Sequence, residues 1–245
     1  RLHSESASPG ASRLDAEPAS AKPPFAVSGP FAHIREWVFD LDNTLYPAPA
    51  LYDAIGERMN AYIARIVGVD AEEALELRER YFHRYGATAV GLAKHHDIDP
   101  SDFAACVHDV DYSVLTPDPE LAALIGALPG RKLIHTNGGG GHGQRALAAL
   151  GFTQMFDAVF DLEAAGWAPK PQPAAYARLI EAHAVTPSRA LFIEDTLRNL
   201  EPAHELGFTT ALVGAVHPEP RPAYVHHWAR DVKALLRSLR GHTLT

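Results

Sequence analysis

Two aspartates, Asp40 and Asp42, stand one residue apart directly after a strongly apolar run, and they are the residues of this chain best suited to chemistry. The run at residues 37–39 predicts a buried strand, and a buried carboxylate without a partner is costly. In an open α/β sheet the carboxyl end of such a strand faces the crevice where ligands bind. We therefore expect both carboxylates in a site that binds a metal ion or carries out a reaction.

Three further places at predicted strand ends, or in the loops after them, contain polar residues that suit the same reaction. They are Thr136 with Asn137, Lys170, and Glu194 with Asp195. Each set alone has an ordinary explanation as a turn, a helix N-cap or a solvated lysine. Their combination at one edge of a predicted sheet favours a shared site.

The elements that must position these residues follow an α/β pattern from residue 31 onward, because short apolar runs alternate with helical segments. The predicted strands cover residues 37–40, 132–136, 158–161, 191–195 and 210–213. The predicted helices cover residues 144–150, 173–183 and 197–206, with a closing helix at 229–240. Such helices connect parallel strands, so the sequence predicts a parallel, doubly wound sheet.

Residues 46–115 break this alternation, because they have helical periodicity and no convincing strand. Three helices are predicted there, at residues 50–67, 71–85 and 102–107. An all-helical insert at this point is expected to cover the crevice as a cap, and the alternative is an extra helical layer elsewhere on the core. The predicted organisation is a disordered leader at 1–30, a core at 31–45 and 116–245, and a helical cap at 46–115.

Composition excludes several function classes. The net charge of −8 gives no positive field for a nucleic-acid polymer or an anionic membrane surface, and no apolar stretch is long enough to span a bilayer. Cys106 is the single cysteine, which excludes an intramolecular disulfide and fits a reducing, cytoplasmic location. A small-molecule ligand is the expected partner, and the oligomeric state is left open.

The motifs Asp40-Leu41-Asp42-Asn43-Thr44, Thr136-Asn137, Lys170-Pro171 and Glu194-Asp195 resemble, in order and setting, the four motifs of the haloacid-dehalogenase-like (HAD) hydrolases. This resemblance implies a Rossmann-like parallel sheet core with an inserted all-helical cap domain, and Mg²⁺-dependent hydrolysis of phosphate monoesters. The stretches 40–47 and 81–86, followed by Gly91-Leu92, are most similar to the pyrimidine 5'-nucleotidase branch. That branch often has arginine before the Gly-Leu pair, where this chain has Val90.

The resemblance also implies catalytic and metal-binding roles. Asp40 would attack phosphorus and form an aspartyl phosphate. Asp42 would donate a proton to the leaving group, and we expect neighbouring negative charges to raise its proton affinity for that purpose. Asp40 and Asp195 would bind Mg²⁺ through carboxylates and Asp42 through its main-chain carbonyl, with Glu194 orienting the ligand shell.

Substrate contacts are implied for the remaining residues. Thr136, Asn137 and the N–H groups that follow would bind phosphoryl oxygens, and Lys170 would neutralise the phosphate and steady the nucleophile. In the cap, Tyr85 would contact the base and ribose, although it could equally be part of the cap core. His83 and Thr88 are nearby alternatives. The glycines at 138–141 lack the lysine of a Walker loop and predict a flexible turn beside the phosphate site.

The leading functional hypothesis is a phosphatase for pyrimidine nucleoside 5'-monophosphates. Two alternatives stay within the class, namely a broad phosphatase for small sugar or organic acid phosphates, and a phosphomutase. A third, of another class, is an idle module that binds a phosphate ligand without turnover. Dehalogenases of the family lack the second acid, because a halide needs no proton to leave, and Asp42 therefore argues for an oxygen leaving group.

Overall fold

The computed structural model of the chain describes residues 27–47 and 49–239. Within that part six strands form one sheet: β1 Glu36–Phe39, β2 Arg131–His135, β3 Ala158–Phe160, β4 Ala190–Glu194, β5 Thr209–Val213 and β6 His227–Ala229. Their order is β3-β2-β1-β4-β5-β6, and every neighbouring pair is parallel. The predicted α/β fold with a parallel sheet is confirmed. The sequence missed β6, an edge strand of three half-buried residues without a distinct apolar pattern.

Strand β1 lies in the middle of the sheet and is fully buried, which explains the apolar run at residues 37–39. Its residue Val38 pairs with Leu133 of β2 on one side and with Phe192 of β4 on the other. The strand order therefore reverses between β1 and β4. In doubly wound sheets ligands bind in the crevice outside the strand ends at this switch point, and Asp40 and Asp195 directly follow the two strands there.

Nine α-helices accompany the sheet in the described residues. Four lie between β1 and β2, namely α1 Pro49–Ile63, α2 Ala71–Tyr85, α3 Thr88–His96 and α4 Pro100–Val107, and α5 Pro119–Gly126 leads back to β2. The others are α6 His142–Ala149, α7 Pro173–His183, α8 Leu200–Glu205 and α9 Val232–Ser238. Three insert helices were predicted, and α3 was missed because it is short and has Gly91, a poor helix former, near its middle.

The side chains of β1 alternate between two hydrophobic clusters, as the pleat of a strand requires. Trp37 and Phe39 join the cluster that contains α5, α6 and α9, whereas Val38 joins the cluster that contains α7 and α8. The four insert helices share a third cluster, which includes Leu77, Leu92 and other residues of the same segment. Helix α1 also contributes Leu51 and Ile55 to the first cluster, so the insert packs on the core, and the division into a core and a helical cap at 46–115 stays a prediction.

The described part of the chain begins at Val27, before β1. Val27 packs against the first cluster, and the Ser28 N–H donates a 3.4 Å hydrogen bond to the Leu239 carbonyl. Residues 27–30, the end of the predicted leader at 1–30, thus belong to the fold, and the rest of that leader lies outside the described residues. No helix in the described part combines the length and apolar character needed to cross a membrane.

Candidate active site

The crevice at the ends of β1, β2 and β4 contains a cavity of about 200 Å³. Every site residue predicted from the sequence, except Tyr85, lines it: Asp40, Asp42, Thr136, Asn137, Lys170, Glu194 and Asp195. The sheet places them together because parallel strands end at one edge. The structure therefore brings together the four sets of polar residues that are distant in sequence, as predicted.

Lys170 is the buried cation of this site, with only 1% of its side chain exposed. Its Nζ lies 2.7 Å from Asp40 Oδ1, 2.7 Å from Glu194 Oε2 and 2.7 Å from the His135 carbonyl. An ammonium group has three hydrogens, so all three are committed to groups of the protein. Lys170 thus acts as a fixed countercharge between two carboxylates, and the phosphate contact expected from the sequence would require it to give up one of these bonds.

Negative charge is concentrated around this lysine. Burial, and then repulsion from Glu194, raise the pKa of Asp40 to about 7 despite the opposing effect of Lys170. Burial also raises the pKa of Asp195, to which repulsion from Asp40 contributes. The pKa of Lys170 is raised as well, because the attraction of the two carboxylates outweighs the effect of burial. The cluster therefore favours additional positive charge.

Three carboxylates of this cluster can share a metal ion. Oxygen atoms of Asp40, Glu194 and Asp195 all lie within 4.8 Å of one another. An all-oxygen, carboxylate-rich donor set suits a hard cation such as Mg²⁺ rather than zinc. The residues present thus fit the cofactor expected from the sequence.

Asp40 is held in place on both sides. Its main-chain N–H donates to the Ile193 carbonyl at 2.8 Å, which continues the β1–β4 pairing by one residue. The buried Thr44 hydroxyl donates to Asp40 Oδ2 at 3.1 Å. Thr44, from the same motif, thus contacts the expected nucleophile directly.

Asp42 receives hydrogen bonds from two side chains. His142 Nε2 lies 2.8 Å from Asp42 Oδ1 and 3.1 Å from Oδ2, and the Tyr46 hydroxyl donates to Oδ1 at 2.5 Å. Burial acts to raise the pKa of Asp42, but the attraction and hydrogen bonds of His142, together with Tyr46, outweigh it and lower that pKa. The expectation that neighbouring negative charges would raise the proton affinity of Asp42 is wrong, because the sequence did not show that His142 contacts it.

Asn137 connects the loop after β2 to the loop that contains Lys170. Its side-chain Nδ2 donates to the Lys170 carbonyl at 3.0 Å, and the Lys170 N–H donates to Asn137 Oδ1 at 2.8 Å. The buried Thr136 hydroxyl accepts a 3.0 Å hydrogen bond from the Gly138 N–H. Asn137 therefore positions the loops, while Thr136 keeps its own hydroxyl hydrogen for a ligand.

The glycine run at 138–141 is packed rather than loose. Gly140 has φ +58°, and a Cβ there would lie 2.5 Å from the Ala104 carbonyl oxygen of α4. A Cβ on Gly138 would lie 2.7 Å from the His142 ring. Glycine is thus required for close contact with the insert and with His142, and the flexible turn expected from the sequence is instead a tightly fitted one.

A second cavity of about 610 Å³ lies between the strand ends and the helical insert. Asp42, Asn137 and Gly138 line both cavities, so the two are adjacent. The insert contributes mainly apolar and aromatic groups, including Tyr52, Phe82, His83, Thr88 and Phe103. The helical insert therefore covers the crevice, as the cap interpretation predicted.

Tyr85 lines neither of these cavities. Its hydroxyl hydrogen-bonds to His95 Nε2 at 2.5 Å on an exposed part of the insert. The substrate contact predicted for Tyr85 thus has no support from its position, whereas His83 and Thr88, its alternatives, do line the larger cavity.

Sequence reasoning missed Tyr52 and His142. The Tyr52 hydroxyl is buried without a hydrogen-bond partner among the described residues, and Tyr52 lines both cavities. Its signal in the sequence is weak, because an aromatic residue in an amphipathic helix usually belongs to the core. His142 gave a better signal, since it begins a helix directly after the glycine turn that follows Thr136.

Comparison with known proteins agrees with the fold. The sequence model of the haloacid dehalogenase-like hydrolase family matches residues 37–207. A crystal structure of a HAD phosphatase from Thermococcus onnurineus superposes with a TM-score of 0.59 at 19% identity, over 84% of this chain and 98% of that one. At such identity the similarity concerns the fold alone.

Two curated relatives differ in the reactions that their names state. (S)-2-haloacid dehalogenase of Xanthobacter autotrophicus is 29% identical over 196 residues, which cover 76% of this chain and 77% of that protein. Enolase-phosphatase E1 of Frankia alni is 42% identical over 84 residues, and the match spans only about a third of each, 34% of this chain and 32% of that protein.

Because the family match extends over more than half of the sequence, the chain belongs to the haloacid dehalogenase-like hydrolases. It is thus an enzyme of the HAD class, whose members generally use Mg²⁺. Family membership does not distinguish a carbon–halogen bond from a phosphate ester, since both kinds of hydrolase are among the relatives.

Proposed function

We propose that this hydrolase is a Mg²⁺-dependent phosphomonoesterase that forms an aspartyl phosphate on Asp40 and acts on pyrimidine nucleoside 5'-monophosphates. The observation that carries the proposal is the second acid, Asp42, which is hydrogen-bonded by two donors beside the smaller cavity. An alkoxide leaving group needs a proton and a halide does not. Because His142 and Tyr46 lower the pKa of Asp42 in the protein alone, Asp42 would take up this proton when the anionic phosphate binds beside it and raises that pKa. A phosphatase needs the second acid and a dehalogenase does not, so Asp42 favours the phosphatase reaction.

Nucleophilic attack requires the ionised form of Asp40. In the protein alone burial raises the pKa of this carboxyl to about 7, so further positive charge is needed to keep it ionised and to let it approach an anionic phosphate. Mg²⁺, held by Asp40, Asp195, the Asp42 carbonyl and, through its shell, Glu194, would supply that charge and polarise the phosphoryl group. Lys170 adds a permanent countercharge that contacts Asp40 Oδ1 at 2.7 Å.

The phosphoryl oxygens need donors, because negative charge spreads over them in the transition state. Thr136 is suitable because its hydroxyl already accepts from the Gly138 N–H and can donate its own hydrogen to a ligand in the same cavity. The buried and unpartnered Tyr52 hydroxyl is a second donor that faces this region from the insert.

The leaving group would occupy the larger cavity. Its volume of about 610 Å³ falls in the range of small-molecule sites, roughly 300–1,000 Å³, and accommodates a nucleoside. Tyr52, Phe82 and Phe103 offer aromatic surface for a base, while His83 and Thr88 offer polar atoms for ribose or base edges. Asp42 lines both cavities, and this position supports its proposed role as the acid between phosphate and leaving group.

A broad phosphatase for small sugar or organic acid phosphates is the second candidate, and the phosphatase named among the relatives favours it. A phosphomutase would keep both acids, and an idle binding module would keep the pocket without turnover. The proposed compartment is the cytoplasm, and the proposed partner is the small phosphate ester itself.

Phosphate release from CMP, UMP, AMP and phosphoglycolate, measured with and without Mg²⁺, tests the proposal. We expect the highest kcat/KM for CMP and UMP, and a loss of about 10⁴-fold or more for Asp40→Asn, because the nucleophile is removed. Asp102→Asn, a matched change at an exposed position of α4, should retain activity.

Each outcome separates the candidates. Phosphate release that survives Asp40→Asn would exclude the proposed nucleophile. Equal or better rates with phosphoglycolate would favour the broad phosphatase. Chloride release from (S)-2-chloropropionate without phosphate release from any ester would show that the enzyme is a dehalogenase.

A further inference from the structure

The two oxygens of the Asp42 carboxylate have unequal surroundings. Oδ1 has two close donors, the Tyr46 hydroxyl at 2.5 Å and His142 Nε2 at 2.8 Å, whereas Oδ2 has only a 3.1 Å contact with the same nitrogen. The Asp42 side chain is 22% exposed and the His142 side chain 2%. The carboxylate therefore lies between a buried imidazole and the open pocket, with Oδ2 as the oxygen left for a substrate.

His142 itself has one available orientation. Its Nδ1 lies 2.8 Å from the Tyr112 hydroxyl, whose oxygen also lies 3.2 Å from the His108 carbonyl. Tyr112 holds Nδ1 whichever ring nitrogen carries the hydrogen, because a hydroxyl can accept from an N–H or donate to a bare ring nitrogen. The imidazole also packs against the His108 ring at 4.8 Å between centroids, and Gly138 leaves no room for a side chain beside it.

We propose that His142 is the positioning residue for Asp42, and that it fixes the carboxyl so that Oδ2 meets the leaving-group oxygen. The inference rests on the proposed phosphatase function and goes beyond it, because it gives a role to a residue outside the motifs on which that function depends. It also assigns a purpose to Tyr112 and His108, which anchor the imidazole from the insert side.

Loss of His142 should slow only the step that needs Asp42, which is proton donation to the leaving group. Without His142, Asp42 Oδ1 keeps only the Tyr46 hydroxyl and the carboxyl can turn away from the substrate. A displacement of about 1 Å can cost about 10²-fold in rate. An alkoxide depends strongly on proton donation, whereas p-nitrophenolate is a stable anion and leaves with little help.

The test compares kcat/KM for two esters, the nucleoside 5'-monophosphate that the wild type hydrolyses best and p-nitrophenyl phosphate. We expect His142→Ala to lose about 10²-fold with the nucleotide and less than about 10-fold with p-nitrophenyl phosphate. His142→Gln should recover most of the lost nucleotide activity, because its amide N–H can reach Asp42. His204→Ala, which removes a histidine paired with His226 outside both cavities, should change neither value.

Equal losses with the two esters, or equal losses in the alanine and glutamine variants, would overturn the inference and leave the phosphatase function standing. If His142→Ala does not fold, Tyr112→Phe carries the test, since it removes only the hydroxyl that anchors Nδ1. We expect a smaller loss of kcat/KM in that variant, still confined to the nucleotide. Equal losses with the two esters would refute the positioning role. A wild-type protein that hydrolyses neither ester would overturn the proposed function and this inference together.

Discussion

Replacement of Lys170 by methionine is expected to destabilise the protein strongly, apart from any effect on turnover. The substitution keeps most of the length of the side chain but removes the charge that contacts Asp40 and Glu194 at 2.7 Å each. Both carboxylates remain buried, with side-chain exposures of 9% and 1%. Removing one partner of a buried ion pair typically costs about 3–5 kcal/mol, because the other charge is left without compensation.

The stability lost in Lys170→Met should increase with pH. Burial already raises the pKa of Asp40 to about 7 with Lys170 in place, and without the lysine that pKa rises further. When a carboxyl has a higher pKa in the folded state than in the unfolded state, the protein loses stability as the pH rises from the lower pKa to the higher one. The deficit of Lys170→Met should therefore be larger at pH 8 than at pH 5, where Asp40 and Glu194 take up protons.

Urea unfolding followed by circular dichroism, with EDTA present to remove divalent cations, measures this deficit. Adding Glu194→Gln to Lys170→Met should restore part of the lost stability, because only Asp40 then lacks a countercharge. Lys94→Met, at an exposed position of α3, is the matched control and should stay within about 0.5 kcal/mol of the wild type. A deficit below about 1 kcal/mol for Lys170→Met at pH 8, or no recovery in the double variant, would refute the argument from buried charge.

Three further outcomes follow from individual side chains. Burial lowers the pKa of His108 from 6.5 to about 4. The wild type should therefore lose up to about 3 kcal/mol of stability as the pH falls from 6.5 to 4. In the same unfolding assay, the stability of His108→Gln should depend less on pH. Gly91→Ala would drive a methyl group into Tyr81 and should cost about 1–3 kcal/mol or more, whereas Gly214→Ala, with open space around it, should be nearly neutral in thermal unfolding. Saturating Mg²⁺ should raise the melting temperature of the wild type, by mass action, and have less effect on Asp195→Asn; an equal increase in both proteins would argue against Asp195 as a ligand.

The sheet and most of the site were predictable from the sequence because the signals are local. Continuous apolar runs such as residues 37–39 indicate a parallel sheet, and polar residues at the strand ends indicate its ligand-binding edge. Helix α2 was predicted with its observed bounds, because Asp70 caps its first turn and Gly86 ends it in a left-handed conformation.

The contacts that the sequence could not reveal are those between distant side chains. Nothing near Asp42 in the chain indicates His142, one hundred residues away, so the direction of the Asp42 pKa shift was predicted with the wrong sign. Tyr85 shows the same limit, because the helical pattern places it in α2 without showing that its hydroxyl lies on the exposed side of the insert. Side-chain direction on an amphipathic helix depends on what packs against it, and that is tertiary information.

The paired hydrogen bonds between the Asn137 side chain and the Lys170 main chain couple two loops that are 33 residues apart in sequence. These bonds oppose independent movement of the two loops and so favour a constant spacing between Thr136 and Lys170. The Thr136 hydroxyl and the Lys170 ammonium group then stay at a constant distance while other parts of the enzyme move. One amide group thus gives the pocket a stiffness that neither loop would have by itself.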